Sequence, residues 1–225
     1  MNAIKENLKD VHAKIHKTCI RNKEVIRDKE EVNLIAVSKR QTPTKIQEIL
    51  DSGQRLFGEN RIQEAQEHWN DLRDKYSDLQ LHLIGPLQTN KAKEAVALFD
   101  VIQSVDRPKL VHALAKEMTK QDKQIPCLIQ VNTGEEPQKS GILPHELEAF
   151  LTLCHDEGLH IIGLMCIPPQ NEPPALHFAF LKKLADQHDL KELSMGMSSD
   201  FEQAIPLGAT YIRVGTALFG KRDTP

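Results

Sequence analysis

The sequence predicts an α/β fold: a single (β/α)8 TIM barrel with an extra N-terminal helix. Three observations predict it. From residue 33 onward, short apolar runs alternate with amphipathic stretches, the pattern of a parallel sheet with helical crossovers. Eight such runs occur, the number that closes this kind of barrel. None of the eight reads as a polar edge strand, which an open doubly wound sheet would need.

The elements follow in order. Residues 3 to about 27 begin with Ile4, Leu8, Val11 and Ile15 at helical spacing, with charges between them. This predicts an amphipathic helix that plugs or flanks the barrel. The strand runs are 33–39, 55–60, 79–85, 100–106, 125–133, 160–167, 192–196 and 211–218. Helical i, i+3, i+4 patterns lie between several of them. Ile46, Ile49 and Leu50 follow the first run. Ile62, Ala65, Trp69 and Leu72 follow the second, and Leu110, Leu114 and Met118 the fourth. Leu147, Phe150 and Cys154 follow the fifth, and Leu176, Phe180 and Leu184 the sixth. FEQAI (201–205) reads as a short helix after the seventh. Pro43, Pro108 and Pro144 stand near helix starts, where a missing N–H is tolerated. The stretch IPPQNEPP (167–174) is a loop. No linker or low-complexity tract appears, so one domain over 1–225 is expected, with the barrel at about 33–220.

Bulk properties exclude several classes. The formal net charge is -3, with 40% hydrophobic and 27% charged residues. Nothing there favours nucleic acid or a membrane surface. The longest apolar runs, such as 161–167, are far too short to span a bilayer. The N-terminus lacks an uninterrupted apolar segment, and Glu6 and Asp10 argue against a mitochondrial presequence. Cys19, Cys127, Cys154 and Cys166 have no zinc-type spacing. They read as free thiols in a reducing cytoplasm. A cytoplasmic monomer is expected.

In such a barrel, chemistry sits at the C-terminal ends of the strands. Lys39 ends the first run, Glu59-Asn60 the second and Ser104–Asp106 the fourth. Asn132 lies at the end of the fifth, with Lys139 beyond it; Met165 and Cys166 end the sixth. SMGMSSD (194–200) follows the seventh and RVGTALFG (213–220) the eighth. Serines and a glycine in the last two loops suit a phosphate, which those loops often hold. A phosphate site facing a strand-end lysine suggests pyridoxal phosphate, which needs a phosphate anchor, an amine for a Schiff base and a partner for its ring nitrogen. Arg213 is the candidate for that nitrogen. Two alternatives use the same residues. One is an amino-acid racemase or lyase. The other is a cofactor-free aldolase with Lys39 as the amine and Glu59 as the nearest carboxylate. His82 reads as a barrel histidine with a satisfied hydrogen bond.

The stretches AVSK (36–39), FGENR (57–61), HLIGPLQTNK (82–91), SVD (104–106), VN (131–132), KSG (139–141), GLM (163–165), SMGMSSDFEQAI (194–205) and IRVGTALFG (212–220) resemble the YggS/PROSC family of pyridoxal phosphate homeostasis proteins. That family is similar to the barrel domain of bacterial alanine racemases. The resemblance spans nearly the whole chain. It implies a Schiff base of pyridoxal 5'-phosphate on Lys39. It implies phosphate contacts from Ser198, Ser199, Gly215 and Thr216, with Arg213 toward the ring nitrogen. Asn60 would lie beside the cofactor, Met165 would line the ring, and Lys139 would lie close to the site. Lys139 itself reads either as a solvated loop lysine or as a second amine that accepts the aldehyde during loading or release. The departures are small: the proline usual three residues after the lysine is displaced to Pro43, Leu81 replaces an aromatic residue, and Cys166 stands where a smaller residue is common.

A racemase needs two acid–base groups, one on each face of the substrate carbon. In alanine racemases the second is a tyrosine from another domain, which this chain is expected to lack. Tyr76 falls before the third run and Tyr211 begins the eighth, both at the wrong end. Cys166 is the one other candidate acid. The expectation is a carrier that holds the cofactor, shields its aldehyde and delivers it to apo-enzymes, without efficient racemase activity.

Overall fold

The computed structural model describes residues 3–21, 24–25 and 32–220. Eight parallel strands form a closed barrel in sequential order. They are β1 (Asn33–Val37), β2 (Leu56–Glu59), β3 (Gln80–Leu83), β4 (Val101–Val105), β5 (Cys127–Gln130), β6 (Ile161–Met165), β7 (Glu192–Met197) and β8 (Tyr211–Val214). β8 pairs back onto β1, with Arg213 in register with Ile35. All eight predicted strands are present, and most are shorter than their apolar runs. The reason is that burial outlasts the ladder. Asn132 and Thr133 stay buried beyond the last bond to β6, which runs from the Val131 N–H to the Met165 carbonyl at 2.8 Å.

The outer layer contains α1 (Ala3–Cys19), α2 (Pro43–Asp51), α3 (Ile62–Arg73), α4 (Ala92–Leu98), α5 (Pro108–Gln121), α6 (Leu147–Asp156), α7 (Pro174–Gln187), α8 (Phe201–Ala204) and α9 (Thr216–Phe219). Helix α1 ends at Cys19, earlier than the predicted boundary near 27. Its buried stripe of Ile4, Leu8, Val11, Ile15 and Cys19 stops there. Ile20–Arg21 then pairs antiparallel with Glu24–Val25; residues 26–27 lie outside the described residues. The helix flanks the barrel, packing on α9 and α2, and Asn7 Nδ2 donates to the Leu218 carbonyl at 2.8 Å. The run 211–218, predicted as strand, turns into α9 at Thr216.

Strand alternation splits the barrel into two environments. Leu34, Ala36, Phe57, Leu81, Leu83, Ile212 and Val214 belong to the main apolar core shared with the helices. Fully burying one such side chain contributes about 1.5–3 kcal/mol. A separate cluster of Val101, Leu128 and Met165 is distinct from that layer. Polar residues share the lumen. Ser194 on β7 donates to Gln103 on β4 at 2.5 Å. Those strands are not neighbours in the barrel, so the bond crosses the lumen.

Candidate functional site

Ile35 and Val37 alternate along β1 with the core residues Leu34 and Ala36, and Lys39, two residues past the strand, lines a cavity at the barrel mouth. Lys39 lies in the turn after β1 and does not end the strand. The turn is set by Ser38 N–H donating to the Gly58 carbonyl and Gln41 N–H donating to the Ser38 carbonyl, both at 3.1 Å. Arg40 then takes φ 58, a left-handed conformation uncommon for residues with a Cβ. Thr42 caps α2, accepting the Lys45 N–H at 3.4 Å, with Pro43 in the first turn.

A cavity of about 590 Å³ opens at this mouth. Seven of the nine sequence-predicted site residues line it: Lys39, Asn60, Ser198, Ser199, Arg213, Gly215 and Thr216. Two do not. Met165 is fully buried and packs with Val101 and Leu128. Lys139 pairs with Glu136 at 2.6 Å and donates to the Pro168 carbonyl at 3.3 Å.

The corner between β7 and β8 is rich in short polar groups. Ser198 Oγ accepts the backbone N–H groups of Gly215 and Ala217, each at 3.3 Å. Asp200 shapes the loop by accepting the Met197 N–H at 2.6 Å. Gly196 has φ 91, and a Cβ there would lie 2.7 Å from Ala204 Cβ. The loop therefore turns tightly onto α8. On the opposite wall, Asn60 Oδ1 is buried and accepts no hydrogen bond from protein.

Arg213 enters the cavity from below. It is 4% exposed, and burial pushes its pKa down from the usual value, although a guanidinium keeps its charge at any ordinary pH. Nη1 donates to Ser194 Oγ at 2.6 Å and Nη2 to the Cys166 carbonyl at 2.8 Å. Ser194 must then donate its proton onward to Gln103 Oε1. The Gln103 amide nitrogen in turn faces His82 Nδ1 at 2.8 Å. An amide NH2 only donates, so Nδ1 is the acceptor and the ring proton sits on Nε2. Burial lowers the His82 pKa to about 4, which keeps this ring neutral. The His82 ring packs edge-on against Tyr211, centroids 5.2 Å apart. Thus a one-directional chain of donors runs from Arg213 down the lumen. His82 has the satisfied partner expected of it. Ser194 and Gln103 were not singled out from the sequence. The available signal was a glutamine in the middle of the buried run Val101–Val105.

The candidates for a second acid–base group lie elsewhere. Tyr211 is at the far end of β8, in register with Asn33, and burial raises its pKa to about 12. Tyr76 accepts from Gln47 at 2.9 Å on the outer layer. The Cys166 thiol is fully buried, and burial pushes it up to about 12. Glu59 points away from the lumen. Its Oε1 accepts from Ser38 Oγ at 2.6 Å, His68 Nδ1 at 2.8 Å and Trp69 Nε1 at 3.0 Å. The aldolase alternative needs that carboxylate beside the amine, and Glu59 is turned to α3 instead.

Glu59, Glu64 and His68 bring ligand-type atoms within 4.8 Å of one another. Burial alone would lower the His68 pKa. The hydrogen bond and charge of Glu59, with Glu64 and the Gln41 backbone, outweigh it and hold the pKa above the usual value. The four cysteines, Cys19, Cys127, Cys154 and Cys166, are all buried and none is in a disulfide. Among the described residues, no helix is long and apolar enough to cross a membrane.

A family model described as the alanine racemase N-terminal domain matches residues 1–223. A pyridoxal phosphate homeostasis protein of Aquifex aeolicus is 38% identical over 232 residues, covering 99% of each chain. One of Pseudomonas aeruginosa is 39% identical over 229 residues, covering 99% of this chain and 97% of its own length. The solved structure of PipY from Synechococcus elongatus with pyridoxal phosphate bound is 38% identical. It superposes with a TM-score of 0.81 over 96% of this chain and 100% of that one. An alanine racemase of Clostridium difficile, at 12% identity and a TM-score of 0.73, shares the fold.

Proposed function

The chain belongs to the family of pyridoxal phosphate homeostasis proteins, built on the alanine racemase N-terminal domain, and from that premise we propose that its barrel mouth binds pyridoxal 5'-phosphate. One observation carries the assignment to these residues. An amine, a buried guanidinium and a polar corner of hydroxyl and backbone N–H groups converge on one cavity. Among the described residues, Arg213 pairs with no carboxylate. The unmet Asn60 Oδ1 is a second sign that a polar ligand belongs there.

Lys39 is the amine that takes the cofactor's aldehyde. Bound pyridoxal phosphate supplies an electrophilic aldehyde carbon, to which a neutral amine adds with loss of water. Ser198, Ser199, Gly215 and Thr216 hold the phosphate. Arg213 faces the ring nitrogen as a permanent donor, which keeps that nitrogen unprotonated and weakens the ring as an electron sink. Asn60 orients the ring. Met165 supports the floor from below, and Lys139 is a second amine used during loading or release.

The protein acts as a cytoplasmic carrier of this cofactor, holding it reversibly and releasing it to apo-enzymes, and not as an efficient racemase. The places of Tyr76, Tyr211 and Cys166 support that reading, since none offers a proton at the mouth.

The test is the visible absorption spectrum of the purified protein beside Lys39→Ala. A yellow band in the wild type that the variant loses is the expected result. A wild type that stays colourless after pyridoxal phosphate is added would sink the cofactor reading. The same band follows release: an apo-enzyme that gains cofactor no faster from the loaded protein than from the free pool rules out delivery.

A further inference from the structure

Arg213 lines the mouth cavity, and uncharged groups hold it there. Nη1 donates to the Ser194 hydroxyl and Nη2 to the Cys166 carbonyl. Among the described residues no carboxylate bonds to it. Asp200 acts on it through space, with its own oxygens taken by the Met197 N–H and the Ser199 hydroxyl. A buried charge is costly, and a buried guanidinium ordinarily takes a carboxylate partner. Here a neutral chain stands in that place. Ser194 donates onward to Gln103, and Gln103 donates to His82. Each group turns its acceptor toward Arg213, which stabilises the charge without cancelling it.

The backbone is irregular where this chain is anchored. Tyr211 pairs with Ser194 and Arg213 with Met197, so β7 carries one residue more than β8 over that stretch. Ile102 pairs with Cys127 and Val105 with Ile129, so β4 carries one more than β5 across Gln103. Extra residues of this kind bend a strand and re-aim its side chains at the expense of regular pairing. An apolar lumen would need neither. Ser194 and Gln103 are fully buried and His82 nearly so, so solvent offers none of them an alternative partner. The chain therefore fixes the guanidinium from below and leaves its charge to the cavity above.

We propose that Ser194 and Gln103 are positioning residues that set the ligand selectivity of the mouth cavity: by holding Arg213 still and without a carboxylate partner, they make the site take a pyridine aldehyde phosphate whose ring nitrogen is bare and reject one whose ring nitrogen is substituted. This rests on the assignment of Arg213 to the cofactor's ring nitrogen. A bare nitrogen accepts an Arg213 N–H. A methylated nitrogen cannot accept, and it brings a positive charge against the guanidinium.

The experiment titrates cofactor-free protein with pyridoxal phosphate and, separately, with its ring-N-methylated derivative, reading each dissociation constant from the visible band. The wild type should prefer the unmethylated aldehyde by about ten- to a hundredfold, the effect of one hydrogen bond to a charged group. Ser194→Ala frees Nη1 and should cut that ratio by about three- to tenfold. Gln103→Leu leaves the Ser194 hydroxyl undirected and should cut it too; it decides alone should Ser194→Ala not fold. Lost packing by itself would weaken both aldehydes alike and leave the ratio unmoved. A wild-type ratio in either variant would overturn the proposal. A wild type that binds both aldehydes alike would overturn it together with the ring-nitrogen role of Arg213. A wild type that forms no band with either aldehyde would instead defeat the cofactor assignment. The positioning is then judged in cofactor-free protein by side-chain NMR of Arg213, where separate Nη–H resonances mark a guanidinium held still. Their loss in Ser194→Ala supports the positioning role, and their persistence there, or their absence from the wild type, overturns it.

Discussion

Ser194→Ala tests the lumen chain most directly. The hydroxyl accepts from Arg213 at 2.6 Å and donates to Gln103 at 2.5 Å. Ser194 and Gln103 are fully buried, and Arg213 nearly so. Its removal takes a charge-assisted bond, about 1.5–3 kcal/mol, and orphans the Gln103 carbonyl, about 1–3 kcal/mol. The two overlap, and a water entering the vacated space recovers part of the loss. The expected destabilisation is about 2–4 kcal/mol. For a chain of this size each kcal/mol moves the melting temperature by about 2–4 °C, so the shift is about 5–15 °C downward. Urea titration with an unchanged slope would assign the loss to the native state. Ser199→Ala is the control. Its hydroxyl is exposed and makes one 3.3 Å bond, so it should stay within about 0.5 kcal/mol. A Ser194→Ala variant that matches this control would refute the chain as drawn.

Three further predictions concern His82, His68 and Gly85. Burial lowers the folded-state pKa of His82 to about 4 from a model-compound value of 6.5. The unfolded chain therefore takes up a proton there first as pH falls, and stability drops from about pH 6.5 toward pH 4, by roughly 3 kcal/mol at the end. His68 runs the other way. Its raised pKa gives stability that is fully present below 6.5 and lost as pH rises through the folded value. Urea midpoints measured across pH check both, and a His82→Gln variant should lose the acidic slope; an unchanged slope contradicts the neutral assignment. Gly85→Ala would place a Cβ 2.3 Å from the Asn60 carbonyl oxygen. Backbone must move, at about 1–3 kcal/mol, and because Asn60 lines the mouth, a cofactor titration should show weaker binding. Wild-type affinity in that variant would remove Asn60 from the site.

The sequence by itself determined the architecture and most of one wall of the site. Apolar runs of period 2 and helical runs of period 3.6 are local signals, so eight strands could be counted and Lys39, Asn60, Arg213 and the 198–199 and 215–216 pairs placed at strand ends. The same signals placed the boundaries poorly. Burial continues after the ladder stops, as at Asn132 and Thr133, and Thr216 starts a helix where periodicity continued a strand. Helix α4 has only seven residues, too short for a 3.6-residue pattern to stand out. What remained was decided by tertiary structure. Whether Met165 faces the cavity or the floor beneath it depends on the barrel's closure. So does the meeting of Gln103 with Ser194, residues 91 apart in sequence. Glu59, beside Asn60 in sequence, faces the helices because successive strand residues point to opposite sides. Its bonds to Ser38, His68 and Trp69 exist only once α3 has docked. Strand ends are written in local composition. The partners that aim a side chain are not, because they come from other strands and helices that only closure of the barrel brings within bonding distance.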